Sequence, residues 1–172
     1  EHGQLTTKIR EISFTQKGEK WTSPGFNACA YEIFGSSEGT FIYGDTACGY
    51  IDPDGQISSY YEYDGECVSG ASMSGKSAVV INNDDRRVYT AALFSGNGKQ
   101  PLVVELESPA MAVSVFRGLA YILTQDEVLA YDFKGNLRST AKVNDSYSGF
   151  VRSDDHIFLK GYDKIDRIDY DT

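Results

Sequence analysis

The sequence contains few of the side chains on which catalysis and metal binding most often depend. It has two histidines, His2 and His156. Its three cysteines, Cys29, Cys48 and Cys67, show no CxxC spacing. A structural zinc site needs four converging Cys or His ligands, and a Ser-His-Asp mechanism needs an oriented histidine. A zinc-binding protein and an enzyme with a Ser-His-Asp triad are therefore both disfavoured.

Positive charge is also scarce. The chain has 16 Lys and Arg against 25 Asp and Glu, a formal net charge of −9 at pH 7. Nucleic acid and anionic membrane surfaces are therefore disfavoured as partners. The charge favours solubility, and a cation-binding or basic-partner surface is the alternative. No run of about 18 apolar residues occurs, so no segment is predicted to cross a bilayer as a helix.

Short strands and tight turns recur along the chain with a period of about 40 residues. The clearest copy, Gly118–Val143, contains three strands joined by two turns, and Phe41–Tyr43 and Phe158–Leu159 align with its first strand. Alternating β-branched and aromatic residues between Gly, Asn and Asp turns indicate strands. The pattern predicts an all-β fold of antiparallel four-stranded meander repeats, arranged as a partial β-propeller.

The whole chain, residues 1–172, is predicted to be a single repeat domain. We assign 1–25 to the remnant of a preceding blade, 26–65, 66–108 and 109–145 to blades, and 146–172 to an incomplete blade. An unpaired strand edge invites association. The chain is then a small closed ring, half of a larger ring with a second copy, or a segment of a longer propeller. The two strands predicted at the start and the three at the end do not add up to one four-stranded blade, which favours a segment of a longer propeller.

Cysteine pairing is left open by the sequence. Cys29 and Cys67 open the first strands of successive units, so a disulfide between them is one alternative. Buried free thiols are the favoured alternative, because free cysteine is among the most buried residue types.

Two turns share an aliphatic-Asp-x-x-Gly-x-aliphatic pattern, in Tyr50–Ile57 and Ala130–Leu137. The pattern resembles the turn between the third and fourth blade strands of PQQ-like and YVTN-like β-propellers. The tyrosine-rich, acidic units also resemble uncharacterised bacterial propeller proteins exposed on the outer side of a membrane. The resemblance implies a propeller fold and an extracytoplasmic location, at the cell surface or secreted. PQQ enzymes of this group carry a tryptophan in nearly every blade, whereas this chain has only Trp21. We therefore expect no cofactor and no metal.

One segment matches a nucleotide-binding spacing. Gly70–Ser77 supplies GxxxxGKS, but a phosphate loop must open a helix. The apolar, β-branched Ala78–Ile81 that follows indicates a strand instead. A hairpin turn is therefore the predicted structure.

Candidate ligand-binding residues fall in two places. Tyr60, on the outer strand of the first unit, and the nearby Phe41 offer aromatic area suited to a protein or a sugar, with packing between blades as the alternative. His156, at the head of a strand beside Asp154 and Asp155, forms the second group. Paired aspartates in predicted turns more often cap the backbone than bind a cation.

These observations favour a non-catalytic binding or scaffold module that recognises a protein or glycan partner. The alternative is a propeller-type polysaccharide lyase or glycosidase with carboxylates in the ring centre. The predicted innermost strands carry only Glu32 as a charged residue, which favours binding; they are Asn27–Ile33, Val68–Met73, Met111–Val115 and Tyr147–Val151. Self-association through open blade edges remains an alternative. No nucleic acid and no direct membrane insertion within this chain are expected.

Overall fold

The computed structural model describes residues 6–13, 18–23 and 25–169, and over these residues it consists of strands and turns without a helix. The residue His2 lies outside the described residues. An N-terminal pair of strands comes first, β1 (Arg10–Ser13) and β2 (Gly18–Thr22), which are antiparallel. The predicted all-β class is confirmed.

Four further antiparallel sheets follow in chain order. The strands of the first are β3 (Ala30–Ser36), β4 (Gly39–Gly44), β5 (Ala47–Ile51) and β6 (Ile57–Glu62). Those of the second are β7 (Glu66–Met73), β8 (Lys76–Asn83), β9 (Val88–Phe94) and β10 (Leu102–Leu106). Those of the third are β11 (Ala110–Phe116), β12 (Leu119–Thr124), β13 (Glu127–Asp132) and β14 (Leu137–Lys142). Those of the last are β15 (Tyr147–Arg152), β16 (Ile157–Gly161) and β17 (Ile165–Arg167).

Each sheet is a meander in which consecutive strands pair. The sheets pack face to face, and their first strands lie side by side, because β7 contacts both β3 and β11, and β11 contacts β15. These first strands all run in the same direction. We call β3, β7, β11 and β15 the inner strands.

The alternation of strand directions defines two edges of the assembly between residues 25 and 169. The upper edge contains the turns 37–38, 52–56, 74–75, 95–101, 117–118, 133–136 and 153–156. The lower edge contains the turns 45–46, 63–65, 84–87, 107–109, 125–126, 143–146 and 162–164. Contacts between sheets support this grouping. On the upper edge Asn97 Nδ2 donates to the Glu38 carbonyl at 2.7 Å, and on the lower edge Asn83 Nδ2 donates to the Asp64 carbonyl at 3.0 Å.

The two Asp-x-x-Gly turns are built by their aspartates. Asp52 Oδ1 accepts the amides of Asp54 and Gln56 at 3.0 and 2.9 Å. Asp132 Oδ1 accepts the corresponding amides of its own turn, at 2.9 and 3.0 Å. The glycine of each turn has a φ above +80°, which a side chain would disfavour. These aspartates therefore shape the backbone, as the sequence predicts for them.

Apolar side chains fill the space between neighbouring sheets. Phe41, Val79 and Phe94 lie between the first and second four-stranded sheets. Val80, Leu93 and Val115 lie between the second and third, and Phe116, Leu123 and Ile157 lie between the third and the last. Because both faces of the second and third sheets are covered, their central strands are almost entirely buried.

The Gly70–Ser77 segment forms the hairpin that the sequence predicts. β7 ends at Met73 and β8 begins at Lys76. The two turn residues Ser74 and Gly75 have φ values of 52° and 74°, which is the paired left-handed backbone of a tight hairpin turn. No helix follows the glycine, so the phosphate-loop alternative is wrong.

The three cysteines are free thiols. Cys48 and Cys67 are buried between the first and second four-stranded sheets, whereas Cys29 is exposed. Burial raises the pKa of Cys67 to about 11 and also raises the pKa of Cys48. Both buried thiols are therefore protonated at neutral pH, and thiolate chemistry at these positions is suppressed.

Candidate functional site

Phe41 belongs to the core. Its side chain is 0% exposed, and its ring lies 5.1 Å from the Tyr50 ring and 5.4 Å from the Phe94 ring, centroid to centroid. Phe94 is on the neighbouring sheet, so Phe41 holds two sheets together. A partner cannot reach its ring in this structure.

Tyr60 lies on the opposite face of the same sheet. Its ring meets the Phe26 ring edge-on at 5.1 Å, and its hydroxyl donates to Glu62 Oε1 at 2.9 Å. Partial burial and the Glu62 carboxylate raise the pKa of Tyr60 to about 12. Because Phe41 and Tyr60 face different sheets, they do not form a common surface.

The third candidate group lies in the β15–β16 turn on the upper edge. The His156 amide donates to Ser153 Oγ at 3.1 Å, which closes the turn, and the imidazole lies 6.1 Å from the Phe158 ring. Asp154 is exposed, and Asp155 is exposed but engaged in a contact. The turn is on the last sheet, so the structure does not bring these residues together with Tyr60.

The inner strands hold two more charged side chains than the sequence boundaries indicate, Glu66 at the start of β7 and Arg152 at the end of β15. β15 extends to Arg152, one residue beyond the predicted strand. Its Nη1 donates to the Val115 carbonyl at 2.5 Å and its Nη2 to the Ser72 carbonyl at 2.8 Å. Burial lowers the pKa of the guanidinium. Arg152 therefore connects three sheets through their inner strands.

Glu32, the carboxylate predicted on an inner strand, is exposed on β3 and accepts the Tyr43 hydroxyl at 3.2 Å. Burial, followed by this carboxylate, raises the pKa of Tyr43 to about 12. A glycosidase or lyase centre needs carboxylates that converge on a substrate. Among the described inner-strand residues, the other carboxylate is Glu66 at the lower end of β7.

The lower edge is acidic. Counting its turns and the strand residues that flank them within 25–169, eleven acidic side chains stand against four basic ones. The acidic residues are Asp45, Glu62, Asp64, Glu66, Asp84, Asp85, Glu107, Asp126, Glu127, Asp145 and Asp163. The basic residues are Arg86, Arg87, Lys142 and Lys164. We call this surface the acidic edge.

The upper edge is nearly balanced, with six acidic and five basic side chains by the same definition. The acidic residues are Glu38, Asp52, Asp54, Asp132, Asp154 and Asp155, and the basic residues are Lys76, Lys99, Arg117, Lys134 and Arg152. The net charge of the acidic edge is therefore −7 and that of the upper edge −1, so most of the net negative charge of the chain lies on one side of the sheets.

A shallow cavity of about 270 Å³ opens on the acidic edge between the β6–β7 loop and the β8–β9 turn. It is lined by Asp64, Gly65, Glu66 and residues 82–85. The Arg86 guanidinium reaches Asp64 Oδ2 at 3.0 Å, with both side chains 72% exposed. Such an exposed pair is worth at most about 1 kcal/mol, so a partner could displace it at little cost.

The described residues offer neither a metal-binding cluster nor a membrane-spanning helix. These residues contain no group of three or more His, Cys, Asp and Glu side chains placed to hold a metal ion. Within the same residues, no helix is long and apolar enough to cross a membrane.

No family model matches the chain, and no curated protein matches it. Solved structures do. The computationally designed Ika8 protein has a TM-score of 0.64 at 12% identity over 91% of this chain and 51% of its own. Hsv2 of Kluyveromyces lactis has a TM-score of 0.60 at 13% identity over 86% of this chain and 50% of its own.

A third match is BBS1N, crystallised in complex with ARL6DN, with a TM-score of 0.62 at 14% identity over 93% of this chain and 57% of its own. This chain thus spans about half the length of these propeller-like structures. The predicted propeller-type fold is confirmed by these likenesses. At such identities they establish the fold alone.

Proposed function

We propose that this chain is a non-catalytic β-propeller binding module that recruits a basic protein partner through its acidic edge. The observation that carries the proposal is the concentration of carboxylates on one edge of the assembly, with few cations among them. Complementary charge of this kind steers association and selects partners. A protein is favoured over a glycan, because Phe41 is buried and the Tyr60 ring packs on Phe26 instead of forming an open aromatic platform.

Two further parts of the proposal rest on resemblance. The Asp-x-x-Gly turns support a relationship to the PQQ-like and YVTN-like propellers. The acidic, tyrosine-rich units support a location of this protein at the cell surface or in the cell envelope. A propeller-like neighbour crystallised with a protein, BBS1N with ARL6DN, supports protein recognition by a fold of this kind. Fractionation of the native host would test the location.

Charge reversal tests the acidic edge. Asp84 and Asp85 are exposed at the cavity on this edge. We expect the double variant Asp84→Lys, Asp85→Lys to bind a nona-arginine peptide at least about tenfold more weakly than wild type at low salt, because four units of charge change where the peptide docks. Fluorescence anisotropy with a labelled peptide measures the effect.

The matched control reverses two exposed aspartates on the upper edge, Asp54→Lys and Asp154→Lys, and so changes the net charge equally. A module that uses the acidic edge loses much less affinity in this control. An equal loss in both double variants would show that only the overall charge matters, and it would overturn the assignment of the edge.

We also propose that two copies associate through the outer face of the last sheet. Val151 and Ile165 lie on this face and are 42% and 61% exposed. Ile157 and Leu159 point the other way into the core. Because this chain aligns with about half of Ika8 and of Hsv2, a second copy would supply the sheets that cover this face.

We expect Ile165→Lys to shift the light-scattering mass of the chain from two copies towards one at micromolar concentration, because it places a charge in an apolar contact. Leu137→Lys, at a position of similar exposure on β14, is the control and should leave the mass unchanged. A wild-type mass of one chain at all concentrations would contradict association.

A further inference from the structure

Arg152 is held in an unusual way for a partly buried cation. Its guanidinium donates to neutral acceptors, the carbonyls of Val115 and Ser72, on two other sheets. Among the described residues it has no ion pair with a carboxylate, and Asp155 in the adjoining turn is engaged in a contact of its own. A guanidinium partly withdrawn from water without an opposite charge is unfavourable unless something compensates it.

A second cation without a carboxylate partner among the described residues lies close to the same place. The Lys76 ammonium stands 5.3 Å from the centroid of the Phe133 ring and 3.4 Å from the point that a Gly118 side chain would occupy. Gly118 belongs to the β11–β12 turn, and Val115 is three residues before it. Lys76 and Arg152 therefore both lie against the upper end of β11.

The same turn carries a third positive charge. The Arg117 guanidinium stands 5.5 Å from the Phe116 ring centroid at the tip of the turn. Arg117 has a φ of 45° and is exposed. Three successive sheets thus contribute one cation each to this part of the upper edge, in a chain whose net charge is −9.

Arg152 retains donors for a ligand. A guanidinium has five N–H donors in a planar fork, and the two carbonyls engage two of them. The side chain is more than one third exposed, so solvent reaches the rest. Carboxylate and phosphate groups match this fork and form its strongest hydrogen bonds.

We infer that the upper end of β11 is a binding site for an oxyanion group, a carboxylate or a phosphate, contacted by Arg152 and Lys76. The inner-strand carbonyls orient Arg152, and Lys76 adds a point charge from the neighbouring hairpin. The inference is independent of the proposed function, which uses the opposite edge. The two assignments can fail separately.

The test is a titration of the full chain with sodium phosphate at constant ionic strength, followed by the backbone amide and Arg Nε–H resonances in ¹⁵N NMR spectra. We expect saturable shifts confined to residues 72–76, 115–118 and the Arg152 Nε–H. Lys76→Gln leaves the Arg152 hydrogen bonds in place, and we expect it to weaken phosphate binding about threefold to tenfold. Arg167→Gln, on an exposed strand end, is the control and should leave binding unchanged.

Arg152→Gln should abolish the saturable shifts, and the spectrum of the variant reports whether it is still folded. If Arg152→Gln unfolds, the comparison of phosphate binding by Lys76→Gln and by wild type still tests the site. A parallel titration with sodium acetate separates the sources, because equal acetate binding indicates a carboxylate ligand and a preference for phosphate indicates a phosphorylated one. Linear shifts spread over all surface cations, or binding that is equal in Lys76→Gln and wild type, would overturn the site.

Discussion

Phe41→Ala is expected to lower the free energy of unfolding by about 3–5 kcal/mol, the cost of deleting a fully buried aromatic ring. The ring contacts Tyr50 within its own sheet and Phe94 on the next sheet. Its removal leaves a cavity between two sheets that close-packed neighbours cannot fill. Urea unfolding followed by circular dichroism measures the change.

Phe41→Leu keeps most of the volume and is expected to cost clearly less, which makes it the matched control. The two variants also test whether Phe41 binds a ligand, as the sequence suggests. If Phe41→Ala left stability unchanged and removed binding of a partner, Phe41 would be a ligand-binding residue, and the packing of its ring between the two sheets would be contradicted.

Gly49→Ala is the second change with a large expected effect. Gly49 lies on β5 opposite Tyr60 on β6. A Cβ at this position would stand 2.1 Å from the Ser59 carbonyl oxygen and 3.0 Å from its carbonyl carbon. Because the obstructing atoms are backbone atoms of the paired strand, they cannot rotate away. We expect a loss of about 1–3 kcal/mol or more, and a distorted β5–β6 pair.

Gly96→Ala provides the comparison for Gly49→Ala. A Cβ at Gly96 would have its nearest neighbour at 4.0 Å, the Gly75 carbonyl, and its backbone is not left-handed. The added methyl group should be neutral or slightly stabilising, since it restricts the unfolded chain. Equal stabilities for the two variants, from thermal unfolding curves, would show that the close approach at Gly49 is absent in solution.

The repeat architecture could be predicted from the sequence because its signals are local. Strand length, alternation and turn residues act within a few positions. The three strands predicted within Gly118–Val143 are therefore found, as Leu119–Thr124, Glu127–Asp132 and Leu137–Lys142. The Asp52 and Asp132 turns follow from hydrogen bonds made inside each turn. The blade boundaries and the location of the protein remain predictions.

The arrangement of the candidate residues depended on longer-range contacts. Phe41 and Tyr60 are both aromatic strand residues, but which sheet each faces is set by packing between sheets that are distant in sequence. The role of Arg152 was equally hidden, because Ser72 is 80 residues away from it in the chain. The acidic edge did have a sequence signal: acidic residues cluster in every second turn, which places them on one edge of a meander.

The most direct test of the proposed function is to locate where a basic partner binds. A ¹⁵N-labelled sample of the chain would be titrated with nona-arginine at low salt, and the amide shifts would be assigned to the two edges. The proposal predicts saturable shifts at the acidic-edge turns, above all residues 64–66 and 82–87, that fade as salt screens the charges. Shifts of equal size on the upper edge, or none on either, would contradict it.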